Sequence, residues 1–481
     1  MPLDHSTLLR RQAYIDGQWC DAESGAVNEV RNPANGDVIA TVPDMGAAET
    51  NRAIEAAARA MPDWVAKTAQ SRADVLTRWA DLMMQHHDDL ARLMTLEQGK
   101  PVTEARGEIA YAANFLYWFA EEGRRAYGRT IPSHRTDTRI LTLKQPVGVT
   151  AAITPWNFPS AMLTRKAGPA LAAGCPVVAK PAEDTPLSAL ALAALAEEAG
   201  LPAGLFNIVT GDAKTIGETL TKSDIVRKIT FTGSTEVGRL LMQQSASTIK
   251  KISLELGGNA PFLVFDDADL DAAVEGAVAC KFRNAGQTCV CANRILVQAG
   301  VYDDFLKRFE AAVTRLSVGP GDQGHDIGPL INADAVEKVE RHIADATSKG
   351  AELVVGGQPH DLGGTFFQPT IISGLTQQMQ CFGEETFGPM APIGRFDGED
   401  DALALANATE YGLASYFYAR DVGRIFRIAE ALECGIVGVN TGIISTEVAP
   451  FGGVKQSGLG REGGSDGLEE FLETKYVSLT L

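Results

Sequence analysis

The sequence predicts an α/β fold with two domains built on largely parallel sheets. From about Gly148 onward, short apolar segments alternate with helical patterns, which is the order of strand–helix–strand units. After Glu255 the same alternation starts again, which indicates a second α/β unit. The 481 residues are also too many for one ordinary core, so we expect two or three domains.

The individual elements follow from apolar runs that end at turn residues. Thr185 suits a helix N-cap, Pro186 suits the first helical position, and Gly200 suits the stop after the last turn. We predict strands at residues 149–154, 174–180, 206–210, 228–232, 260–265 and 475–481. We predict helices at residues 47–60, 71–96, 102–127, 187–199, 235–244 and 270–283.

Composition and charge exclude several classes of protein. The hydrophobic fraction of 45% and the charged fraction of 22% are those of a soluble globular chain. The net charge of −18 argues against nucleic acid and anionic membranes as partners, and an anionic substrate would need a local basic pocket. The seven cysteines form no CxxC pair and no zinc-type cluster with histidine. We therefore expect a cytoplasmic protein with no membrane segment and no metal.

The segment that ends in Cys289 carries the strongest chemical signal. It reads Phe-Arg-Asn-Ala-Gly-Gln-Thr-Cys from Phe282, with Arg283 six positions before the cysteine. A thiolate is the reactive form of cysteine, and nearby positive charge lowers its pKa. The segment predicts a nucleophilic thiol of lowered pKa, against the alternative of a packing residue.

Five other segments place polar residues where strands end or turns begin. Asn157 lies in Thr-Pro-Trp-Asn-Phe-Pro, and Glu183 closes Lys-Pro-Ala-Glu at the end of a predicted strand. Gly233 lies in Phe-Thr-Gly-Ser-Thr-Glu-Val-Gly, which enters a helix where phosphates bind. Glu255 lies in Leu-Glu-Leu-Gly-Gly-Asn-Ala, and Glu385 in Glu-Glu-Thr-Phe-Gly-Pro. A glutamate between leucines is unlike a solvated surface charge.

These segments, in this order and spacing, resemble those of the NAD(P)-dependent aldehyde dehydrogenase superfamily. Within it, the succinate-semialdehyde dehydrogenase branch is most similar, with glutarate-semialdehyde dehydrogenases close behind. The resemblance runs from Tyr14 to the final strand. It implies that Cys289 is the nucleophile, that its amide and Asn157 bind the oxyanion, that Glu255 is the general base, and that Lys166 passes protons.

The resemblance also implies a dinucleotide site. The residues that it assigns to the cofactor are Trp156, Lys180, Glu183, Gly233, Ser234, Glu385 and Phe387. Many succinate-semialdehyde dehydrogenases carry a small residue at position 183 and use NADP. A carboxylate at Glu183 accepts hydrogen bonds from the ribose hydroxyls and repels a 2′-phosphate, so we expect NAD, with NADP as the alternative.

Three further residues match the substrate-binding positions of the resembling branch. Arginine binds a carboxylate through two parallel hydrogen bonds, and Arg165 and Arg283 match the carboxylate-binding arginines, with Ser445 as a third contact. The alternative for each arginine is a structural ion pair. The predicted reaction is oxidation of succinate semialdehyde to succinate with NAD(P)⁺ and water. Glutarate semialdehyde, a broad range of aldehydes, or a non-catalytic binding role are the alternatives.

The resemblance implies three parts and a homo-oligomer, dimer or tetramer. They are a Rossmann-like cofactor domain (residues 1–122 and 144–255), an α/β catalytic domain (256–455) and a small β oligomerisation element (123–143 and 456–481). Residues 458–463 match the pattern GxGxxG, but no apolar strand precedes them, so we expect a turn there. Cys291 is either a redox partner of Cys289 or a packing thiol.

Overall fold

The computed structural model describes residues 8–481. In chain order the first elements are β1 (Ala13–Ile15), β2 (Gln18–Cys20), β3 (Val27–Arg31), β4 (Val38–Pro43), α1 (Ala47–Val65), α2 (Ala69–Gln85), α3 (His87–Gln98), α4 (Val102–Gly123), β5 (Arg129–Ile131) and β6 (Thr138–Pro146). They are followed by β7 (Val149–Ile153), α5 (Ala161–Ala173), β8 (Val177–Lys180), α6 (Pro186–Glu198), β9 (Phe206–Ile208), α7 (Ala213–Lys222), β10 (Val226–Thr232), α8 (Thr235–Ser245) and β11 (Lys251–Glu255).

The second half of the chain repeats the alternation of strands and helices. It contains β12 (Ala260–Val264), α9 (Leu270–Phe282), β13 (Ala292–Gln298), α10 (Tyr302–Val313), α11 (Ala333–Ser348), β14 (Glu352–Val355), β15 (Thr370–Ser373), α12 (Gln380–Gly383), β16 (Met390–Phe396), α13 (Glu399–Asn407), β17 (Ala414–Tyr418), α14 (Val422–Ala431), β18 (Ile436–Val439), β19 (Gly458–Leu459), α15 (Asp466–Glu469) and β20 (Leu472–Thr480).

Two large sheets form the centres of the two halves. The first has eight strands in the order β19-β11-β10-β7-β8-β9-β1-β2, and its central pairs from β11 to β9 are parallel. The second has seven strands in the order β14-β15-β16-β13-β12-β17-β18, all parallel except β14 with β15. The predicted α/β class with largely parallel sheets is therefore confirmed.

Two smaller sheets complete the architecture. Strands β20, β6 and β5 form an antiparallel three-stranded sheet, and β3 pairs with β4. Strand β19 pairs antiparallel with β11 at the edge of the first large sheet, so residues 458–463 do not open a strand–helix–strand unit. The division into three parts by residue range stays a prediction. Within the described range, no helix is long and apolar enough to cross a membrane.

Two helical regions were not predicted correctly, because their residue patterns do not show where the helices lie. The predicted helix at residues 71–96 is wrong as one element, because it is two helices that meet at His86. Asp88 and Asp89 in the first turn of α3 favour a new helix start there. Helix α5 was not predicted, because all 13 of its residues, Arg165 and Lys166 included, are buried and it has no exposed polar face.

Candidate active site

One cavity of about 620 Å³ opens where β7, β10 and β11 end, which is the edge where ligands bind in such sheets. Eleven of the predicted site residues line it: Trp156, Asn157, Arg165, Gly233, Ser234, Glu255, Arg283, Cys289, Glu385, Phe387 and Ser445. Three others, Lys166, Lys180 and Glu183, lie outside its lining. The fold thus gathers residues from positions 156 to 445 around one space.

The loop that carries Cys289 is held in an unusual backbone conformation. Asn284 and Ala285 have φ values of 50° and 56°, a region that costs energy for residues other than glycine. The side chain of Asn284 donates to the carbonyl of Asn157 at 3.1 Å, and Gln287 Oε1 accepts from the amide of Ile331 at 2.9 Å. These bonds fix the turn that aims Cys289 into the cavity.

The electrostatic surroundings of Cys289 correct one expectation from the sequence. The thiol is partly buried, and burial raises its pKa to about 12, with Glu385 and Glu255 acting in the same direction. Arg165 and Arg283 lower the pKa of the thiol, but burial outweighs them. The predicted lowering is therefore wrong for this state of the protein. The thiol rests protonated and needs a base to become a nucleophile.

Asn157 stands beside this loop as an amide donor. Its side-chain Nδ2 donates to the backbone carbonyl of Gln287 at 3.0 Å, and its backbone carbonyl accepts from Lys100 Nζ at 2.7 Å. Lys100 is in turn paired with Glu108 at 2.5 Å, and both side chains are 1% exposed. Buried pairs of this kind hold geometry firmly because either partner alone would be an unpaired charge. The position of Asn157 at the cavity wall is thus fixed from two sides.

Glu255 belongs to a buried cluster of four charged side chains. It is 4% exposed at the end of β11, and its Oε2 makes no hydrogen bond with the described residues. Glu462 contacts Arg165 Nε at 2.5 Å and accepts from Lys166 Nζ. Burial and the Glu462 carboxylate raise the pKa of Glu255 well above its usual range, while Arg165 and Lys166 lower it. Glu255 is therefore a buried carboxylate with a raised proton affinity, as a general base requires.

The two arginines differ in what they contact. Arg165 is 1% exposed, pairs with Glu462 and lies over the ring of Phe451 at 4.2 Å. Arg283 is partly exposed in the cavity wall, over the ring of Phe158 at 5.5 Å. Among residues 8–481, no carboxylate lies within ion-pair distance of Arg283. A structural ion pair therefore exists for Arg165, and Arg283 presents its charge to the cavity.

The other side of the cavity carries the residues predicted for the nicotinamide end of the cofactor. The rings of Trp156 and Phe387 meet edge to face, 5.5 Å apart. Phe387 has φ of 56°, which is strained for an aromatic residue. Glu385 Oε1 accepts from the amide of Gly258 at 3.1 Å, and burial raises the pKa of Glu385 to about 7. Two aromatic rings and one carboxylate thus face this part of the cavity.

The turn from β10 into α8 fits a pyrophosphate. A Cβ on Gly233 would stand 2.4 Å from the ring of Phe231, so a larger residue at this position would force that ring to move. Ser234 caps α8 by accepting from the amide of Val237 at 3.3 Å. The positive end of this 11-residue helix faces the cavity that Gly233 and Ser234 line.

Lys180, the last residue of β8, and Glu183, three residues further on, form a separate polar pair. Lys180 Nζ lies 2.5 Å from Glu183 Oε1, with side-chain exposures of 4% and 47%. Burial lowers the pKa of Lys180, while Glu183 raises it. The carboxylate of Glu183 is the exposed member of the pair and so faces any ligand that reaches this edge.

Cys291, unlike Cys289, does not line the cavity. Its Sγ lies 3.4 Å from the carbonyl of Gly286 and 3.6 Å from Lys281 Nζ, and it is 6% exposed. Both cysteines are free thiols. These contacts are those of a packing thiol. The described part of the chain also contains no group of three or more potential metal ligands.

Sequence reasoning missed several residues that shape the site. Glu462 lies in the segment expected to be only a turn, Lys100 lies in the loop between α3 and α4, and Glu108 lies on α4, none of them in a motif. Tyr111 also lines the cavity from α4. Local sequence gave no signal for the contact of Glu462 with Lys166, 296 positions away, or for that of Lys100 with Asn157, 57 positions away.

A family model, two sequence relatives and one solved structure all match nearly the whole chain. The model of the aldehyde dehydrogenase family matches residues 19–477. The chain is 64% identical to the NADP(+) succinate-semialdehyde dehydrogenase GabD of Escherichia coli (strain K12), over 100% of both chains. It is also 64% identical to a glutarate-semialdehyde dehydrogenase of Pseudomonas aeruginosa, over 100% of this chain and 99% of the relative. The crystal structure of a succinate-semialdehyde dehydrogenase from Burkholderia pseudomallei superposes with a TM-score of 0.99 at 59% identity, covering 100% of both chains.

Proposed function

The chain belongs to the aldehyde dehydrogenase family, and we propose that it oxidises succinate semialdehyde to succinate with NAD⁺ and water. The observation that carries the choice of substrate is the position of Arg283. Its guanidinium lines the cavity of Cys289, and no carboxylate among residues 8–481 forms an ion pair with it, although the charge of Arg283 acts on Glu104 in the same cavity wall. Because the net charge of −18 repels anions, a cation exposed inside the cavity indicates an anionic ligand.

The first chemical step is addition of the Cys289 sulfur to the aldehyde carbon. The S–H proton leaves to a base, and Glu255 is the raised-pKa carboxylate that lines the same cavity. The C=O π bond becomes an oxyanion, for which Asn157 Nδ2 and the Cys289 amide are the proposed donors. The product is a thiohemiacetal whose carbon bears the hydrogen that leaves as hydride.

NAD⁺, when bound, supplies the acceptor for that hydride. Its fit rests on the Gly233 turn at the start of α8, and on the aromatic pair Trp156 and Phe387 with the carboxylate of Glu385. We assign the pyrophosphate to Gly233 and Ser234, and the nicotinamide riboside to Glu385, Phe387 and Trp156. The thioester that remains on Cys289 is the acyl-enzyme.

Hydrolysis of the thioester is the second task of Glu255. Glu255 first releases the thiol proton to solvent; its carboxylate then takes a proton from water, whose oxygen attacks the acyl carbon, and the Cys289 sulfur leaves as a thiolate that takes this proton back. Lys166 does not line the cavity, so we assign it to the charge balance of Glu255 through Glu462, with Thr232 Oγ1 as its second contact at 2.6 Å. A carboxylate at this position favours transfer of the acyl group to water and therefore a free acid as product.

The choice of NAD over NADP rests on Glu183. Its exposed carboxylate, next to the buried Lys180, accepts from ribose hydroxyls and repels a 2′-phosphate. The E. coli relative is named for NADP, so this chain departs from it in our proposal. The ion pair with Glu183 also occupies the ammonium of Lys180 that would otherwise attract a phosphate.

Glutarate semialdehyde is the second candidate substrate. One relative of equal identity is a glutarate-semialdehyde dehydrogenase, and one methylene changes binding by only about 1–3 kcal/mol. The test is kcat/KM for succinate semialdehyde, glutarate semialdehyde and propanal, each with NAD⁺ and NADP⁺. We expect both semialdehydes to exceed propanal by at least about 100-fold, the size of one charge-assisted bidentate contact. Equal values for propanal would refute the carboxylate pocket.

We further propose a homo-oligomer, dimer or tetramer, in the cytoplasm. Strand β20 exposes Tyr476 and Leu479, which supports a contact with another copy through the three-stranded sheet. All seven cysteines are free thiols, which supports a reducing compartment. Light scattering coupled to gel filtration tests the assembly, and a monomer at micromolar concentration would contradict it.

A further inference from the structure

Tyr111 is a cavity residue that the proposed mechanism does not use. It lies on α4 and lines the same space as Cys289, Arg165 and Arg283. Its Oη is buried and makes no hydrogen bond with any group of residues 8–481. A buried hydroxyl without a partner lowers the stability of the folded state. The stability of the fold therefore does not explain why this position carries a tyrosine.

A second orphan donor lies on a neighbouring side chain. Arg165 Nη2 is buried and, within the described range, also lacks a hydrogen-bond acceptor. Glu462 occupies the Nε side of the same guanidinium at 2.5 Å. A phenol O–H and a guanidinium N–H are both donors, so the missing partner of both is an acceptor. A carboxylate, with two oxygens and several lone pairs, serves both donors at once.

The charges around the phenol favour an anion at this place. Burial raises the pKa of Tyr111. Among its charged neighbours, Arg165 and Arg283 lower this pKa, and Glu462 and Glu447 raise it. The group consequently remains an O–H donor at neutral pH and lies in the field of both arginines. An O–H donor near enough to Arg165 and Arg283 for both charges to act on it can bind a carboxylate, whereas a methyl group offers it no acceptor.

We propose that Tyr111 determines specificity by donating a hydrogen bond to the distal carboxylate of the substrate, together with Arg165 and Arg283. This inference rests on the proposed function, because it names a further contact to the same carboxylate. The packing of the ring does not explain the hydroxyl. The ring meets Phe115 edge to face at 4.8 Å, a contact that phenylalanine would make equally well.

The test is Tyr111→Phe, assayed with succinate semialdehyde and with butanal, which has a methyl group in place of the carboxylate. We expect kcat/KM for the semialdehyde to fall about 10- to 100-fold through KM, the size of one hydrogen bond to a charged group. We expect kcat/KM for butanal to change by less than about 3-fold. Tyr117→Phe is the matched control, since it lies on the same helix and its hydroxyl donates to Asp81 at 2.7 Å at the surface.

Thermal unfolding of the cofactor-free protein provides the second measurement. Because the change removes an unpaired buried hydroxyl, Tyr111→Phe should keep or raise Tm. A clear fall in Tm, an equal loss with both aldehydes, or an unchanged preference for the semialdehyde would each overturn the role of Tyr111. If the wild-type protein itself does not prefer the semialdehyde to butanal, the proposed function fails, and that result is distinct from a failure of Tyr111 alone.

Discussion

Replacement of Glu462 by glutamine tests the charge cluster behind the general base. Glu462 contacts Arg165 and Lys166, whose side chains are 1% and 0% exposed, and is itself 5% exposed. Burial opposes its charge, but Lys166 and Arg165 lower its pKa, so the carboxylate is ionised. Glutamine keeps the shape and removes the charge, which leaves two buried cations without their shared anion.

The expected loss of stability follows from the burial of these partners. Removal of one member of a buried ion pair costs about 3–5 kcal/mol, because the remaining charge is uncompensated. The unfolding entropy of about 2.1 cal/mol/K per residue gives a chain of 481 residues about 1 kcal/mol/K. The apparent Tm of Glu462→Gln should therefore fall by about 3–5 °C.

The same change should shift the pH dependence of turnover in a defined direction. The negative charge of Glu462 raises the pKa of Glu255, whereas Arg165 and Lys166 lower it. Glu255 must be ionised to act as a base, so kcat rises with pH through its pKa. Without Glu462 the pKa of Glu255 falls, and the acid limb, the pH range in which kcat rises, should move to lower pH.

The assay is kcat at saturating aldehyde and NAD⁺ from pH 5 to pH 10, with Lys166→Met measured beside it. Lys166→Met removes a cation that lowers the pKa of Glu255, so its acid limb should move to higher pH. If the acid limb moves in opposite directions in the two variants, the effect is electrostatic and not a general loss of structure. An acid limb that moves to higher pH in Glu462→Gln, or that stays in place in both variants, would refute the reasoning.

Three further changes address the nucleophile, the substrate and the cofactor. Cys289→Ala should abolish dehydrogenase turnover while NAD⁺ still quenches tryptophan fluorescence with an unchanged Kd; measurable turnover would exclude Cys289 as nucleophile. Arg283→Met should lower kcat/KM for succinate semialdehyde by at least about 100-fold and change that for propanal by less than about 3-fold; equal losses would indicate a structural arginine. Glu183→Ser should raise the NADP⁺-to-NAD⁺ ratio of kcat/KM by about 10-fold or more, because one carboxylate no longer repels the 2′-phosphate; an unchanged ratio would contradict the assignment.

Much of the fold was predictable because its signals are local. Strands such as β7 and β10 are apolar runs that end at turn residues, and Thr185 with Pro186 marked the start of α6 correctly. Helix α5 was not predictable in the same way. Its burial on every side removes the alternation of polar and apolar residues that reveals a surface helix.

The cavity shows a similar division. Glu255 between two leucines was expected to be buried, and it is 4% exposed. The pKa of Cys289 was expected to be low because Arg283 is near in sequence, and it is raised to about 12. The sign of that shift depends on how much water the whole fold removes from the thiol, and burial exceeds the effect of one cation at the cavity wall.

The sequence by itself determined the α/β class, the segment of the nucleophile and the residue types needed for acyl transfer, because each depends on neighbours a few positions away. Only the tertiary structure decided that Glu462 joins Lys166 across 296 positions, and that Asn157 and Gln287 meet across 130. It alone separated the paired Arg165 from the exposed Arg283. Contacts between distant segments and the loss of water around a charge arise from packing of the whole chain, and no local pattern encodes them.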